Sequence, residues 1–217
     1  MSSFPVDKRN KVKRIPKRGH YDKETIYQIL DAGFLCHIGF TVDNQPFVIP
    51  TSYGREGDNL YLHGASTSRM LVNIEAGLPI CLTVTHFDGL VLARSAFHHS
   101  MNYRSVLCFG MATKVEGEEK VNALKIISDQ ILKGRWEESR QPTQKELKAT
   151  TVLCLKIDQA SAKIRTGPPG DDKEDYDLPI WAGVIPSVPV WGAPEADPLL
   201  REGIEVAQSV QSLYDDV

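Results

Sequence analysis

A mainly β protein, built as an antiparallel barrel with a few peripheral helices, is what this sequence predicts. Six or more short apolar segments of strand character follow one another through small polar turns, and only a few stretches carry helical spacing. Strand and helix nowhere alternate in the regular βαβ manner of a parallel sheet. With 217 residues, 41% hydrophobic and 24% charged, the chain can bury one substantial core and still carry an extended tail.

Taken in order, Asp22 is placed to cap a helix running through Asp31, with Ile26, Ile29 and Leu30 on one face and Gly33 as its stop. A meander follows: Phe34 to Val42, a turn at Asp43 and Asn44, Pro46 to Tyr53, a turn at Glu56-Gly57-Asp58, and Asn59 to His63. Ser66 to Ala76 reads as a short helix with hydroxyl caps and a stop at Gly77. Pro79 to Phe87 and Gly89 to Ser95 read as a hairpin turning on Asp88 and Gly89. Ser105 to Val115 is a long strand. The segment Glu118 to Leu132 is an amphipathic helix, with Val121, Leu124, Ile127 and Ile131 on its apolar side. A short helix from Thr143 to Lys148 leads into a last long strand, Thr151 to Ile157.

These elements divide the chain into a basic arm (1–20), a barrel domain (21–166) and an acidic, proline-rich extension (167–217) that wraps the domain. Trp181 and Trp191 in the extension need an apolar surface to rest on, so it is expected to be ordered at least in part.

The net charge of -3 conceals an uneven distribution. Lys8, Arg9, Lys11, Lys13, Arg14, Lys17 and Arg18 crowd the arm, whereas the chain from Asp171 onward is mostly acidic. Such an arm suits nucleic acid, nuclear import, or an acidic patch on the protein or a partner subunit. Nothing else resembles a nucleic-acid module, which favours the last reading. No apolar run approaches the roughly 18 residues of a membrane span, and the N-terminal residues show no apolar signal core. A cytoplasmic location is expected, the basic arm leaving nuclear entry open. Cys36, Cys81, Cys108 and Cys154 each sit inside an apolar run with no close pair, which suits small reduced core residues and no metal site.

The chemistry concentrates between His63 and Arg69. Gly64-Ala65-Ser66-Thr67-Ser68 permits close backbone approach, opens a helix and offers hydroxyl donors, and Arg69 adds a cation of fork geometry. That combination suits a phosphate, although a well-capped helix with a solvated arginine has the same composition. Upstream, Pro50 has no N–H and favours a strand edge or bulge where a ligand can meet open backbone groups.

These residues, with Asn102-Tyr-Arg-Ser-Val106, resemble the flavin-nucleotide-binding split-barrel proteins related to pyridoxamine 5'-phosphate oxidase, in particular the branch of the nitroimidazole-resistance proteins. The resemblance implies an antiparallel split β-barrel, an FMN cofactor, and a homodimer with FMN at the interface. It also implies roles by position. Ser68 and Arg69 would bind the FMN phosphate next to Gly64; Val48, Ile49, Pro50, Thr51 and Tyr53 would flank the ring and ribityl chain; Ser105 would make a polar contact, and Arg104 would reach the phosphate or the dimer partner. The oxidase branch places a lysine after Ser-Arg, where this chain has Met70. The oxidases' C-terminal substrate segment is also absent, so pyridoxamine phosphate is not the expected substrate.

His63, ending its strand just before the phosphate turn, where its ring would face the flavin, is a candidate cofactor contact and the candidate reactive residue, with a hydrogen-bonded structural histidine as the alternative. His98 and His99 are adjacent and point to opposite sides of an extended chain. The resulting expectation is an FMN-binding oxidoreductase acting on a small organic electron acceptor such as a nitro or quinone compound. A flavin carrier or sensor without turnover is one alternative, and a haem-binding split barrel using His63, His98 or His99 is another.

Overall fold

In the computed structural model, which describes residues 2–215, a helix is set first by its cap. The Asp22 carboxylate accepts from the Thr25 amide at 2.8 Å and opens α1 (Lys23–Asp31). This helix buries Ile26, Ile29 and Leu30 as its spacing requires. Then β2 (Leu35–Val42) turns through Asp43 and Asn44, both at positive φ (50° and 61°), into β3 (Gln45–Glu56). A pair of positive φ angles matches the natural twist of a hairpin, and asparagine and aspartate tolerate them.

The decisive feature is the length of β3, whose 12 residues serve two neighbours in turn. Its first part, Gln45 to Ser52, pairs with β2, and its second, Tyr53 to Glu56, pairs with β4 (Asn59–Ala65). β4 then pairs along its whole length with β7 (Thr150–Lys156). Another long strand, β6 (Ser100–Lys114), joins β7 through its last residues and β5 (Pro79–Leu92) through the rest, closing a ring of six strands. β8 (Gln159–Arg165) adds to β6, β1 (Gly19–His20) adds to β8, and β9 (Gly183–Pro186) adds to β5, so the nine-stranded sheet is antiparallel throughout. The expected split barrel is the observed fold.

Inside the ring, Ile38, Leu60, Leu62, Leu82, Val106, Leu153 and Leu155 form the main core, joined by Met70, Leu71 and Ile74 of α2 (Arg69–Glu75). A second cluster, Tyr61, Val115, Ala123, Ile127 and Val152, seats α3 (Gly117–Ile131) against the outside of β3, β4 and β7. Gly54 permits that contact, since a Cβ there would lie 2.7 Å from the Ile127 amide nitrogen. α4 (Gln144–Ala149) is fixed by a capping box between Thr143 and Glu146.

Two expectations need correction. Asp88 and Gly89 do not turn a hairpin: both halves of β5 pair with the same β6, and the extra residue is absorbed as a bulge between Phe87 and Gly89. A run with a turn-like dipeptide continues straight when a long partner strand holds both sides. β8 was not foreseen, because Gln159-Ala-Ser-Ala-Lys163 is small and polar; its Ala160 and Ala162 are nevertheless part of the main core, and Ser161 between them is buried as well. The arm packs closely. Phe4 is buried, its amide bonds to Tyr21, and the Asn10 side chain bonds to the Pro5 and Ala160 carbonyls. Of the arm and the C-terminal extension as bounded above, Met1 and residues 216–217 lie outside the described residues. Cys36 and Cys108 are buried, Cys81 and Cys154 half-buried, and all four are free.

Candidate functional site: the opened seam between β3 and β4

The barrel is split where β3 leaves β4. After the Tyr53–Leu62 pair, β3 runs back along β2 while β4 continues along β7, so from Pro46 to Ser52 the other edge of β3 has no strand partner among the described residues. An unpaired strand edge presents a row of backbone donors and acceptors. Pro50 lies on that row, as its missing N–H favours. Val48 is 67% exposed and Pro50 is exposed, whereas Ile49 and Phe47 turn in to pack on the core. Thr51 is half-buried.

Beyond the end of β4 the chain makes a turn, with Ser66 N–H bonded to the Ala149 carbonyl and Ser68 N–H to that of Ala65. Ser68 is the N-cap residue of α2, but its hydroxyl makes no capping bond. Arg69 follows, exposed, with its guanidinium 4.5 Å above the Phe47 ring and no carboxylate partner among the described residues. Phe47 in turn stacks on Phe40 at 5.4 Å. The aromatic pair therefore holds the cation beside β3. Gly64 has a packing role: a Cβ there would lie 3.0 Å from Leu71 Cδ1, so its absence lets α2 close onto β4.

Three expected site residues stand elsewhere. Tyr53 is fully buried in the core with its hydroxyl donating to the Leu30 carbonyl, and burial raises its pKa, so its side chain serves the core. Arg104 forms a two-pronged pair with Asp88, at 2.8 Å. It lies ten residues before Lys114, to which Glu75 pins α2, or roughly 30 Å along the strand at about 3.3 Å per residue. Ser105 is its neighbour and donates to the Lys163 carbonyl. Neither reaches the turn at Ser68 and Arg69 of its own chain.

His63 turns away from the seam. Along β4, Leu60, Leu62 and Gly64 face the barrel core, so Tyr61 and His63 face α3. Its ring lines a cavity of about 410 Å³ with Leu124, Ile127, Ile131, Trp136 and Leu147, and Arg140 stands at the wall paired with Glu146. The His63 Nδ1 is shut off from solvent with no hydrogen-bond partner among the described residues, and burial lowers the pKa of the ring below its ordinary 6.5. An orphaned buried imidazole in an apolar pocket is suited to ligating a metal centre. His98 bonds to Asp172 at 3.2 Å and His99 accepts from the Ala93 amide at 3.0 Å, so both already serve the fold. Trp136 and its pocket escaped sequence reading, because the loop between α3 and α4 has no periodicity to place them; the apolar face of α3 was the available signal.

A six-stranded antiparallel barrel opened along one seam, with a phosphate-type turn at its end, defines a split-barrel protein. Residues 22–164 match the family model described as pyridoxamine 5'-phosphate oxidase, and the chain belongs to that family. Among solved structures, it is similar to the flavocytochrome Anf3 from Azotobacter vinelandii: 42% identity over 95% of this chain and 96% of that one, TM-score 0.89. It is also similar to the FAD and heme binding protein from Mycobacterium smegmatis, with 35% identity over 90% and 97% of the two chains and a TM-score of 0.87. A putative 5-nitroimidazole antibiotic resistance protein from Bacteroides thetaiotaomicron matches at 28% identity over 66% and 84%, with a TM-score of 0.55. A comparison with curated proteins gave no match. No helix among the described residues is long and apolar enough to cross a membrane.

Proposed function

We propose that this chain is a flavin-dependent redox protein that acts as a homodimer on a small organic electron acceptor, nitro- or quinone-like, and that carries a haem in the His63 pocket. The observation behind the flavin reading is the unpaired edge of β3 over Pro46–Ser52 beside an unengaged Ser68 hydroxyl and an unpaired Arg69. Ser68 and Arg69 would hold the 5'-phosphate, Val48 and Pro50 would turn open backbone groups to the ring and ribityl chain, and Ile49 and Thr51 between them would anchor that strand to β2. A bound flavin supplies one- and two-electron transfer; the protein sets access and polarity. FMN is the cofactor proposed, though its phosphate-bearing half is shared with FAD, and relatives described as a flavocytochrome and an FAD and heme binding protein support a flavin of either kind. Arg104 and Ser105 would meet this flavin only from a second copy.

A separate observation supports the haem: His63, unpartnered, faces apolar walls and a tryptophan. His63 would hold the iron through a ring nitrogen, and α3 and Trp136 would keep water from it.

The absorption spectrum of the purified protein, together with chromatography of the released cofactor, tests both assignments. Flavin bands in the blue and near ultraviolet and an intense Soret band are expected. Protein that takes up neither FMN nor FAD on reconstitution refutes the flavin reading, and the same result with haemin refutes the second. Reduced flavin inert to oxygen and to a panel of acceptors would make the chain a carrier.

A further inference from the structure

Sequence reading required an apolar support for Trp181 and Trp191, yet in the folded chain they are 65% and 58% exposed. Trp191 belongs to a longer stretch with the same property. Between β9 and α5 (Gln208–Asp215) the chain runs for 21 residues, 187–207, with no helix or strand. Val188 and Val190 are 74% exposed and Leu199 90%; Leu200, Ile204 and Val206 are also exposed. A loop this long without secondary structure is uncommon, and is usually either a functional segment or a linker.

The stretch is an arch fixed at both feet. At one foot β9 pairs with Gly89–Leu92 of β5, and Ser187 N–H continues to the Asp88 carbonyl at 3.1 Å. At the other, Ser209 is buried, with its amide and hydroxyl both donating to the Glu138 carboxylate. An exposed sheet face on the same chain is covered only at its edge, where Arg9 lies 5.2 Å over the Phe109 ring. By register, the row Val48, Gly39, Cys81, Phe109 adjoins the row Pro50, His37, Thr83, Leu107, and Leu35 and Met111 extend it; Leu35, Val48, Leu107 and Met111 are all exposed. Apart from that edge, arch and face stay uncovered together, so they do not cover one another within one chain.

Charge identifies the occupant. The arch holds Glu195, Asp197, Glu202 and Glu205 against a single Arg201, and none of these acids forms an ion pair among the described residues. Residues 8–18 hold seven cations and no acid, and none of those cations forms an ion pair among the described residues either. Two unpaired fields of opposite sign on one chain, beside two unpaired apolar surfaces, are what an isologous dimer satisfies twice over.

We infer that residues 187–206 clasp a second copy of this chain, setting their apolar side chains on its sheet face and their carboxylates on its basic arm. This rests on the homodimer reading and makes the flavin site composite, because the clasped face borders the open edge of β3. Each flavin would lie under the arch of the other copy.

Two measurements on the full-length protein test it. First, ¹⁴N- and ¹⁵N-labelled copies are unfolded, mixed and refolded, coupled with a zero-length carbodiimide, and analysed by mass spectrometry. Cross-links between peptides of 195–205 and peptides of 8–17 should join light to heavy copies; links confined to one isotope overturn the inference. Second, the triple variant Val188→Asp, Val190→Asp, Leu199→Asp, altered only at exposed positions, should weaken the dimer at least tenfold in sedimentation equilibrium. An unchanged dissociation constant, or a wild-type monomer, also overturns it. Flavin content measured on the same samples separates the two claims: mixed cross-links without flavin would sink the flavin reading and leave the clasp standing.

Discussion

Replacing Arg69 by alanine tests the phosphate turn most sharply, because the structure says which part of its energy belongs to binding. The guanidinium has two interactions to lose. Its contact with Phe47, at 4.5 Å, exists before any ligand arrives and so cancels from the binding difference, appearing instead in the stability of the free protein. A charge-assisted hydrogen bond to the flavin phosphate exists only in the complex and is worth about 1.5–3 kcal/mol. At about 1.4 kcal/mol per decade, the loss should weaken FMN binding by roughly ten- to 150-fold. Fluorescence titration of the apoprotein with FMN and with riboflavin reads this directly. Riboflavin lacks the phosphate, so its affinity should not change in Arg69→Ala. Equal losses for both ligands, or no loss for FMN, would refute the placement of the phosphate.

His63→Ala should leave FMN affinity unchanged, since its ring faces α3, while abolishing the Soret shift on titration with haemin. Gly54→Ala would press a Cβ to within 2.8 Å of three backbone atoms of α3, which no rotamer relieves; about 1–3 kcal/mol of stability should be lost, read as a Tm lower by roughly 2–12 °C. Arg140 and the Thr143 cap hold the Glu146 carboxyl down to about 2 from its ordinary 4.5. The lowered value means that its stabilising effect is complete above pH 4.5 and is lost as the pH falls toward 2, so thermal scans across that range should fall more steeply for the wild type than for Glu146→Gln.

Much of the fold was legible because local signals agreed with tertiary demand. The Asp22 cap, the Asp43-Asn44 turn, the face of α3 and the Thr143 cap all formed where the residues suggested. The sequence failed where a partner strand outweighed a local cue, as at Asp88 and Gly89, and where small residues with little strand character were drawn into the core, as in β8. Site residues divide similarly. Ser68 and Arg69 stand on the turn their spacing implied, and Val48 to Thr51 stand on the open edge. Strand parity sent His63 to the other face, and a core position claimed Tyr53, since neither direction can be read before the strand partners are known.

The central claim is that a flavin occupies the seam left by β3, and hydrogen exchange tests it most directly. Amides of Val48 and Ser52, which alternate onto the open edge, together with those of Thr67, Arg69 and Met70, should exchange more slowly when FMN is added to the apoprotein. The β9 amides, already paired with β5, should change little. Protection confined to other parts of the chain, with the edge of β3 exchanging as before, would contradict the account.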